Sequence, residues 1–372
     1  MKHPIRTIII VALLVKCLYL IMGLVFGPEG IHSWSDLIAI FNRNDTGWYD
    51  NIATNGYARI HHIDELGKKL PDGTMIQSSW AFFPAYPMLN RSLMLLFGCS
   101  FNNAAFTTSI VLSLLHFLLF FSFTKYFLNN DKLALQATIL YILFPFHYHF
   151  SVFYTESLFL SALLMAFIGV QQKKVWWSAL ALSVLVLTRP NGLICLLPVW
   201  LYHLEQEGIP LRIRNYKIIF RHSLFLVLPV LAFAAYLYYQ YEMTGYYNAF
   251  SLAQKGWRKS FVFPFKALFN GASFEKQFNS VYVIIVMLYA IYVTKKLPLS
   301  LNILIWINLL LPLTAGSTVS MSRYIAVLFP LFIIFCMQVV PKIKNAYLLP
   351  IIFLLLQLWA FSYWLSADPF SY

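Results

Sequence analysis

Long apolar runs recur along this 372-residue chain from one end to the other, and nothing else in it restricts the fold as much. Runs of about 17 to 25 residues are each long enough to cross a bilayer as a helix. None of them carries a regular polar stripe for water to meet, which excludes a soluble domain with an oily core. Only 11% of the residues are charged, against roughly 25% in a soluble domain. The expected fold class is an all-α polytopic membrane protein, one integral membrane domain over residues 1–372.

The formal net charge of +13 raises nucleic acid as a partner, but the basic residues sit in short clusters between apolar runs. Cytoplasmic loops show that distribution under the positive-inside rule, so the expected partner is the lipid bilayer and no nucleic acid is expected. Cys17, Cys99, Cys195 and Cys336 lie singly in or beside apolar segments. Without paired spacing they read as small buried hydrophobes, not as a disulfide or zinc framework. Lys2, His3 and Arg6 precede an apolar run from about Ile8 to Phe26. No small-residue cleavage site stands out, so the run reads as an uncleaved first span leaving the cytoplasm.

With the N-terminus inside, span one covers about residues 5–27. The following loop, 28–102, holds seven acids (Glu29, Asp36, Asp45, Asp50, Asp64, Glu65, Asp72) against five bases (Arg43, Arg59, Lys68, Lys69, Arg91). An acidic loop belongs outside. Within it, residues 80–97 are apolar but interrupted by Pro84 and Pro87 and carry Arg91, which suggests a re-entrant or interface-lying piece. Further spans are expected at about 103–125, 133–150 and 154–171. The run 175–203 is too long for one crossing and is broken by Thr188-Arg189-Pro190-Asn191-Gly192, with basic flanks on both sides. Two limbs of about 13 residues rise only about 20 Å each, giving a hairpin whose apex dips into an outward-facing cavity. Such breaks at membrane depth are tolerated where the freed backbone is buried in protein or lines water. Spans at about 218–242, 279–295, 299–315, 324–340 and 346–366 complete a bundle of about 9 to 11 spans or half-spans. A second outer loop covers 243–279. No internal repeat is visible, which counts against inverted-repeat transporters.

In this register Asp45, Glu156, Arg189 and Arg323 come from four separate segments, yet all fall at the outer face. Glu156 is the only carboxylate in the apolar stretch 133–171. An intramembrane acid costs a few kcal/mol unless paired, so it is functional, or a bridge to an arginine with Arg189 the natural partner, and the two readings are compatible. Asp45, followed by Thr46-Gly47-Trp48-Tyr49, could cap a short helix that lays Trp48, Tyr49 and Ile52 against the interface and ends at Asn55-Gly56. It could equally be a general base, because partial burial raises a carboxylate toward the working range. Asp50 is the weaker candidate, on a face that reads as solvated. Arg189 and Arg323 sit at break points, where a guanidinium fork suits phosphate; snorkelling or pairing with Glu156 is the alternative. Lys255, Arg258, Lys259 and Lys266 in the second outer loop break the positive-inside pattern, which fits an anionic headgroup or the membrane surface itself. His147 and His149 make a poor zinc pair without a third ligand, and His61-His62 is weaker still. No glycine-rich phosphate loop or nucleophile elbow is present.

Taken together, five blocks resemble the PIG-V-type mannosyltransferases. Arg43-Asn44-Asp45-Thr46-Gly47-Trp48-Tyr49 with Ile52-Ala53 and Gly56-Tyr57 is similar to their first-loop signature. Ala81-Phe82-Phe83-Pro84-Ala85-Tyr86-Pro87 with Arg91 looks like the next block. Tyr154-Thr155-Glu156-Ser157, Thr188-Arg189-Pro190-Asn191-Gly192 and Ser322-Arg323-Tyr324 follow in order over about residues 40–330. The resemblance implies a GT-C bundle with an extracytoplasmic site and an inverting transfer. The donor would be a polyprenyl- or dolichyl-phosphate-linked hexose, usually mannose, with no soluble nucleotide sugar, metal or cofactor. Asp45 takes the position of the base. Trp48, Tyr49, Asp50, Tyr86, Arg91, Tyr154, Glu156, Arg189, Asn191 and Arg323 fall to substrate, and the acceptor would be a glycan, a lipid or a protein. Asn44 departs from the pattern, which places an aromatic before the aspartate. The compact chain suggests a prokaryotic relative whose acceptor is not the GPI precursor. A lipid-linked-sugar transporter or flippase, or a polymerase-like ligase, is the rival reading.

Overall fold

The structure, a computed structural model, describes residues 3–28, 30–257, 261–271 and 273–371. Lys2, Glu29, Arg258 and Lys259 lie outside the described residues. No strand occurs among the described residues beyond a single bridge between Lys69 and Met75, so the chain is all-α. The helices are α1 (Pro4–Phe26), α2 (Trp34–Ala39), α3 (Asp45–Asn55), α4 (Ala85–Phe97), α5 (Phe101–Leu128) and α6 (Asp131–Leu143). Then come α7 (Glu156–Gln171), α8 (Val175–Val186), α9 (Pro190–Ile194), α10 (Leu196–Gln206), α11 (Tyr216–Ser223) and α12 (Val227–Thr244). The last six are α13 (Ala249–Ala253), α14 (Phe274–Val293), α15 (Leu299–Leu313), α16 (Met321–Ala326), α17 (Phe329–Ile334) and α18 (Leu349–Leu365).

Among the described residues, five helical stretches are long and apolar enough to cross a membrane: Pro4–Phe26, Phe101–Leu128, Ile213–Thr244, Phe274–Lys296 and Ala346–Leu365. Glu156–Gln171, Val175–Val186, Leu299–Leu313 and Phe329–Lys342 are shorter apolar helices. The run 133–150, expected as one span, is not one helix. It stops at Leu143 because Pro145 cannot continue it, and residues Pro145–Phe150 form a tight 3-10 turn instead. The run 324–340 is likewise divided into α16, α17 and a π-helical turn at Phe335–Val339.

The middle of the bundle is α7, of which every residue but Met165 and Ile168 is buried. It packs against α5, α8 and α10. Gly169 permits the tight approach of α8: a Cβ there would stand 2.4 Å from Ser178 Oγ, whose hydroxyl donates to Ala166 O at 2.8 Å. The loop after α3 is packed too. Trp80 is wholly buried, stacks on Tyr57 with ring centroids 4.4 Å apart and donates Nε1–H to Ala58 O at 2.9 Å. With Ile52, Leu66, Phe83, Tyr236 and Ala249 it forms a second, smaller core beside α12 and α13.

Candidate active site

Four local devices aim four charged side chains at one point. Helix α3 begins at Asp45 behind Asn44, whose φ is +54°. With ψ at −113° this backbone lies outside the left-handed region that asparagine enters readily, so any non-glycine residue is strained here. The Asn44 side chain makes no capping bond and Asp45 is the first helical residue, so Asp45 is not the cap. The Thr46 hydroxyl donates to Phe153 O at 3.3 Å and Phe153 N–H to Phe41 O at 3.2 Å, which ties the start of α3 to the segment that leads into α7. Glu156 opens α7. Both carboxylates thus stand at helix N-termini, where the macrodipole favours negative charge.

Arg189 is set by the break between α8 and α9. Pro190 occupies the first turn of α9 and disfavours helical backbone in the residue before it, and Arg189 is extended at φ −155° and ψ 154°. Gly192 lets α9 fold back on the end of α8, since a Cβ there would lie 2.2 Å from Leu185 O. Arg323 sits in the one-and-a-half-turn α16, which starts after Ser320 at φ +65°.

The resulting cluster is continuous. Arg189 Nη2 donates to Glu156 Oε1 and Nε to Thr155 Oγ1 at 2.6 Å. Arg323 Nε closes on the same Glu156 oxygen as an ion pair, without the alignment of a hydrogen bond. Arg323 Nη1 donates to Asp45 Oδ2 at 2.8 Å. The Arg323 guanidinium lies over the Tyr154 ring at 4.5 Å, a cation–π contact. Two carboxylates and two guanidiniums balance to zero. Exposure falls steeply inward: the Asp45 side chain is 27% accessible, Arg323 10%, Arg189 9% and Glu156 0%. Among the described residues, Glu156 Oε2 and the Tyr86 hydroxyl are buried without a hydrogen bond. No hydrogen bond among the described residues engages Arg323 Nη2 or Arg189 Nη1.

The structure brings Asp45, Tyr154, Glu156, Arg189 and Arg323 together and sets Tyr49 and Tyr86 beside them, their rings 5.2 Å apart. Burial first, and the Asp45 carboxylate second, push the Tyr49 phenol above its ordinary value, so it stays neutral. Trp48 and Tyr49 do not lie against an open interface as expected. Trp48 stacks on Phe82 at 5.7 Å and meets Trp257 at 5.6 Å, while Tyr49 packs edge-on against Phe82 at 5.3 Å.

Three sequence candidates make their contacts elsewhere. Asp50 accepts from the Thr54 hydroxyl at 3.0 Å along α3. Arg91 Nη1 donates to Ala53 O at 2.9 Å and Thr54 O at 3.3 Å, closing the end of that helix. Asn191 donates to Asn308 Oδ1 at 2.9 Å and stitches α9 to α15. His147 is bound to Tyr141 O, and His149 is buried against Tyr148 and Tyr154. No group of three or more His, Cys, Asp or Glu side chains placed to hold a metal occurs among the described residues.

Sequence reasoning missed Thr155, the hydroxyl partner of Arg189, and Lys16. Buried in α1, Lys16 donates to Ser151 O at 2.6 Å and Ser109 Oγ at 3.0 Å and lies over the Phe41 ring at 3.9 Å. It thereby holds both segments that approach the cluster. Its signal was available: it is the lone cation inside the first apolar run. No family model and no curated protein matches the chain.

Proposed function

We propose that this protein is a membrane glycosyltransferase of the GT-C type, with Asp45 as general base. One observation carries the reading: acids and arginines from four distant segments converge in a chain with membrane-length helices, and Asp45 alone among them keeps substantial access to solvent. The GT-C assignment itself rests on the five-block resemblance. The donor is a polyprenyl- or dolichyl-phosphate-linked hexose, with mannose the expected sugar, and the acceptor is a hydroxyl on a glycan, lipid or protein. The N-terminus is cytoplasmic and the site extracytoplasmic, at the inner membrane if the source is bacterial.

In the proposed step the acceptor hydroxyl gives its proton to Asp45 Oδ while its oxygen attacks the anomeric carbon. The bond from that carbon to the phosphate oxygen breaks on the opposite face. The electron pair leaves with the lipid phosphate, and the configuration inverts. A phosphate is stable as an anion, so no separate acid is needed. Arg323 Nη2 and Arg189 Nη1 are the donors left over from the ion-pair network, and guanidiniums suit phosphate oxygens. General-base assistance contributes typically ~10²- to 10⁴-fold. Glu156 holds the two arginines in register.

The test is incubation of purified protein with polyprenyl-phosphate-mannose and a membrane extract that supplies acceptors. Released polyprenyl phosphate, lost in Asp45→Asn, is the expected result. A transporter or flippase moves the lipid-linked sugar intact, so transfer of label across vesicles with no release would replace this reading.

A further inference from the structure

The segment between α10 and α12 has a feature the proposed chemistry does not use. From Gly208 to Tyr241 the chain contains Arg212, Arg214, Lys217 and Arg221 and not one carboxylate. Residues from Ile213 through α11 to the 3-10 turn Leu224–Leu226 form one helical path, and its three faces differ. One face is docked: Trp200 Nε1 donates to Ser223 Oγ at 2.8 Å, and the His222 and His203 rings meet nitrogen to nitrogen at 3.0 Å. Asn215, Ile219 and Leu226 repeat on that face and are part-buried.

A second face carries Ile213, Tyr216, Phe220 and Leu224, spaced three and four residues apart. These apolar side chains are exposed, Ile213 at 94% and Phe220 at 69%. Arg214, Lys217 and Arg221, again at three- and four-residue spacing, occupy the adjoining face and are also exposed. An apolar stripe beside a cationic stripe, with the opposite side docked to protein, is the pattern of a helix lying in a membrane interface. The apolar stripe continues in α12, where Val227, Leu228, Val230 and Leu231 are exposed as well, so residues 213–224 form the basic end of the membrane-length stretch Ile213–Thr244.

We propose that residues 212–224 form an interfacial binding surface for anionic phospholipid headgroups, on the side where the charge pattern places the cytoplasm. Ile213, Tyr216, Phe220 and Leu224 insert at the acyl boundary, and Arg214, Lys217 and Arg221 pair with lipid phosphates. Charge complementarity selects the occupant: a cationic stripe with no acid of its own attracts an anionic surface and is indifferent to a zwitterionic one.

The experiment uses the full chain reconstituted in vesicles of equal phosphatidylglycerol and phosphatidylcholine, extracted gently, with co-purifying lipid counted by native mass spectrometry. Wild type is expected to retain phosphatidylglycerol in preference, by about fivefold for each cation engaged. The triple variant Arg214→Gln/Lys217→Gln/Arg221→Gln is expected to lose the preference. Arg214→Lys/Arg221→Lys, which keeps the charge, is expected to keep it. All three positions are exposed, so both variants should melt with wild type. Equal retention of the two lipids by wild type, or unchanged preference in the glutamine variant, overturns the proposal.

Discussion

Glu156→Gln is the perturbation that reads the cluster most directly. The substitution keeps the shape of the side chain and removes one charge from a site with no solvent access. In wild type a single oxygen of Glu156 meets both Arg189 and Arg323. After the change, two guanidiniums at most one-tenth exposed remain, Arg323 on the Asp45 carboxylate and Arg189 on the Thr155 hydroxyl. A pair of unit charges about 4 Å apart is worth about 4 kcal/mol at an effective dielectric of 20, and breaking a buried pair costs about 3–5 kcal/mol. The amide oxygen still accepts one hydrogen bond, which offsets about 1 kcal/mol. The expected net loss is about 3 kcal/mol. It is read as the fraction of monodisperse protein left after heating in detergent, followed by fluorescent size-exclusion. Removing a second charge in Glu156→Gln/Arg189→Met should recover part of that loss, with a coupling in the range of about 0.5–3 kcal/mol. Glu156→Gln protein that survives heating as wild type does would refute the claim that this carboxylate holds α7, α9 and α16 together.

Two further substitutions test how the cluster is positioned. Gly192→Ala places a methyl 2.2 Å from Leu185 O, so α9 must lift off α8. A loss of about 1–3 kcal/mol is expected, with lower donor turnover because Arg189 moves with the helix; unchanged heat survival would show that the turn has room. Arg91→Ala removes the donor to Ala53 O and Thr54 O and should cost about 1.5–3 kcal/mol. Limited proteolysis should then cut sooner near residues 55–60 than in wild type, and equal cutting rates would count against Arg91 as the clamp on α3.

What the sequence revealed, and what it hid, follows from the range of the forces involved. Apolar length alone reveals α1, α5, α14 and α18, because lipid demands about 20 apolar residues of any crossing helix. The Glu156–Arg189 pair is legible because each is a costly charge in apolar surroundings and needs the other. The break at Thr188–Gly192 is legible because proline and glycine act on their own backbone. The contacts of Arg91 and Asn191 are not legible in the sequence because their partners are a helix-end carbonyl and a side chain 117 positions away, neither of which leaves a local pattern. The end of α6 at Leu143 is hidden inside the apolar run 133–150, whose one proline decides the geometry.

Asp45 and Glu156 are the same functional group in opposite settings, and the contrast separates a base from a brace. Asp45→Asn keeps an oxygen that can accept from Arg323 Nη1 while abolishing both charge and basicity. Its side chain is 27% exposed, so the ion pair contributes on the order of 1 kcal/mol, and heat survival should stay near wild type. If Asp45 served only to hold Arg323, activity would persist too. As the base, its loss should lower turnover by about 10²- to 10⁴-fold. Asp45→Glu complements this: it restores basicity but carries the carboxylate one carbon–carbon bond, about 1.5 Å, further out. A misplacement of that size can cost about 10²-fold. The expected order of turnover in the polyprenyl-phosphate-mannose assay is therefore wild type, then glutamate, then asparagine, at nearly constant heat survival. An asparagine variant that turns over normally would leave Asp45 as a brace and remove the chemical basis of the assignment.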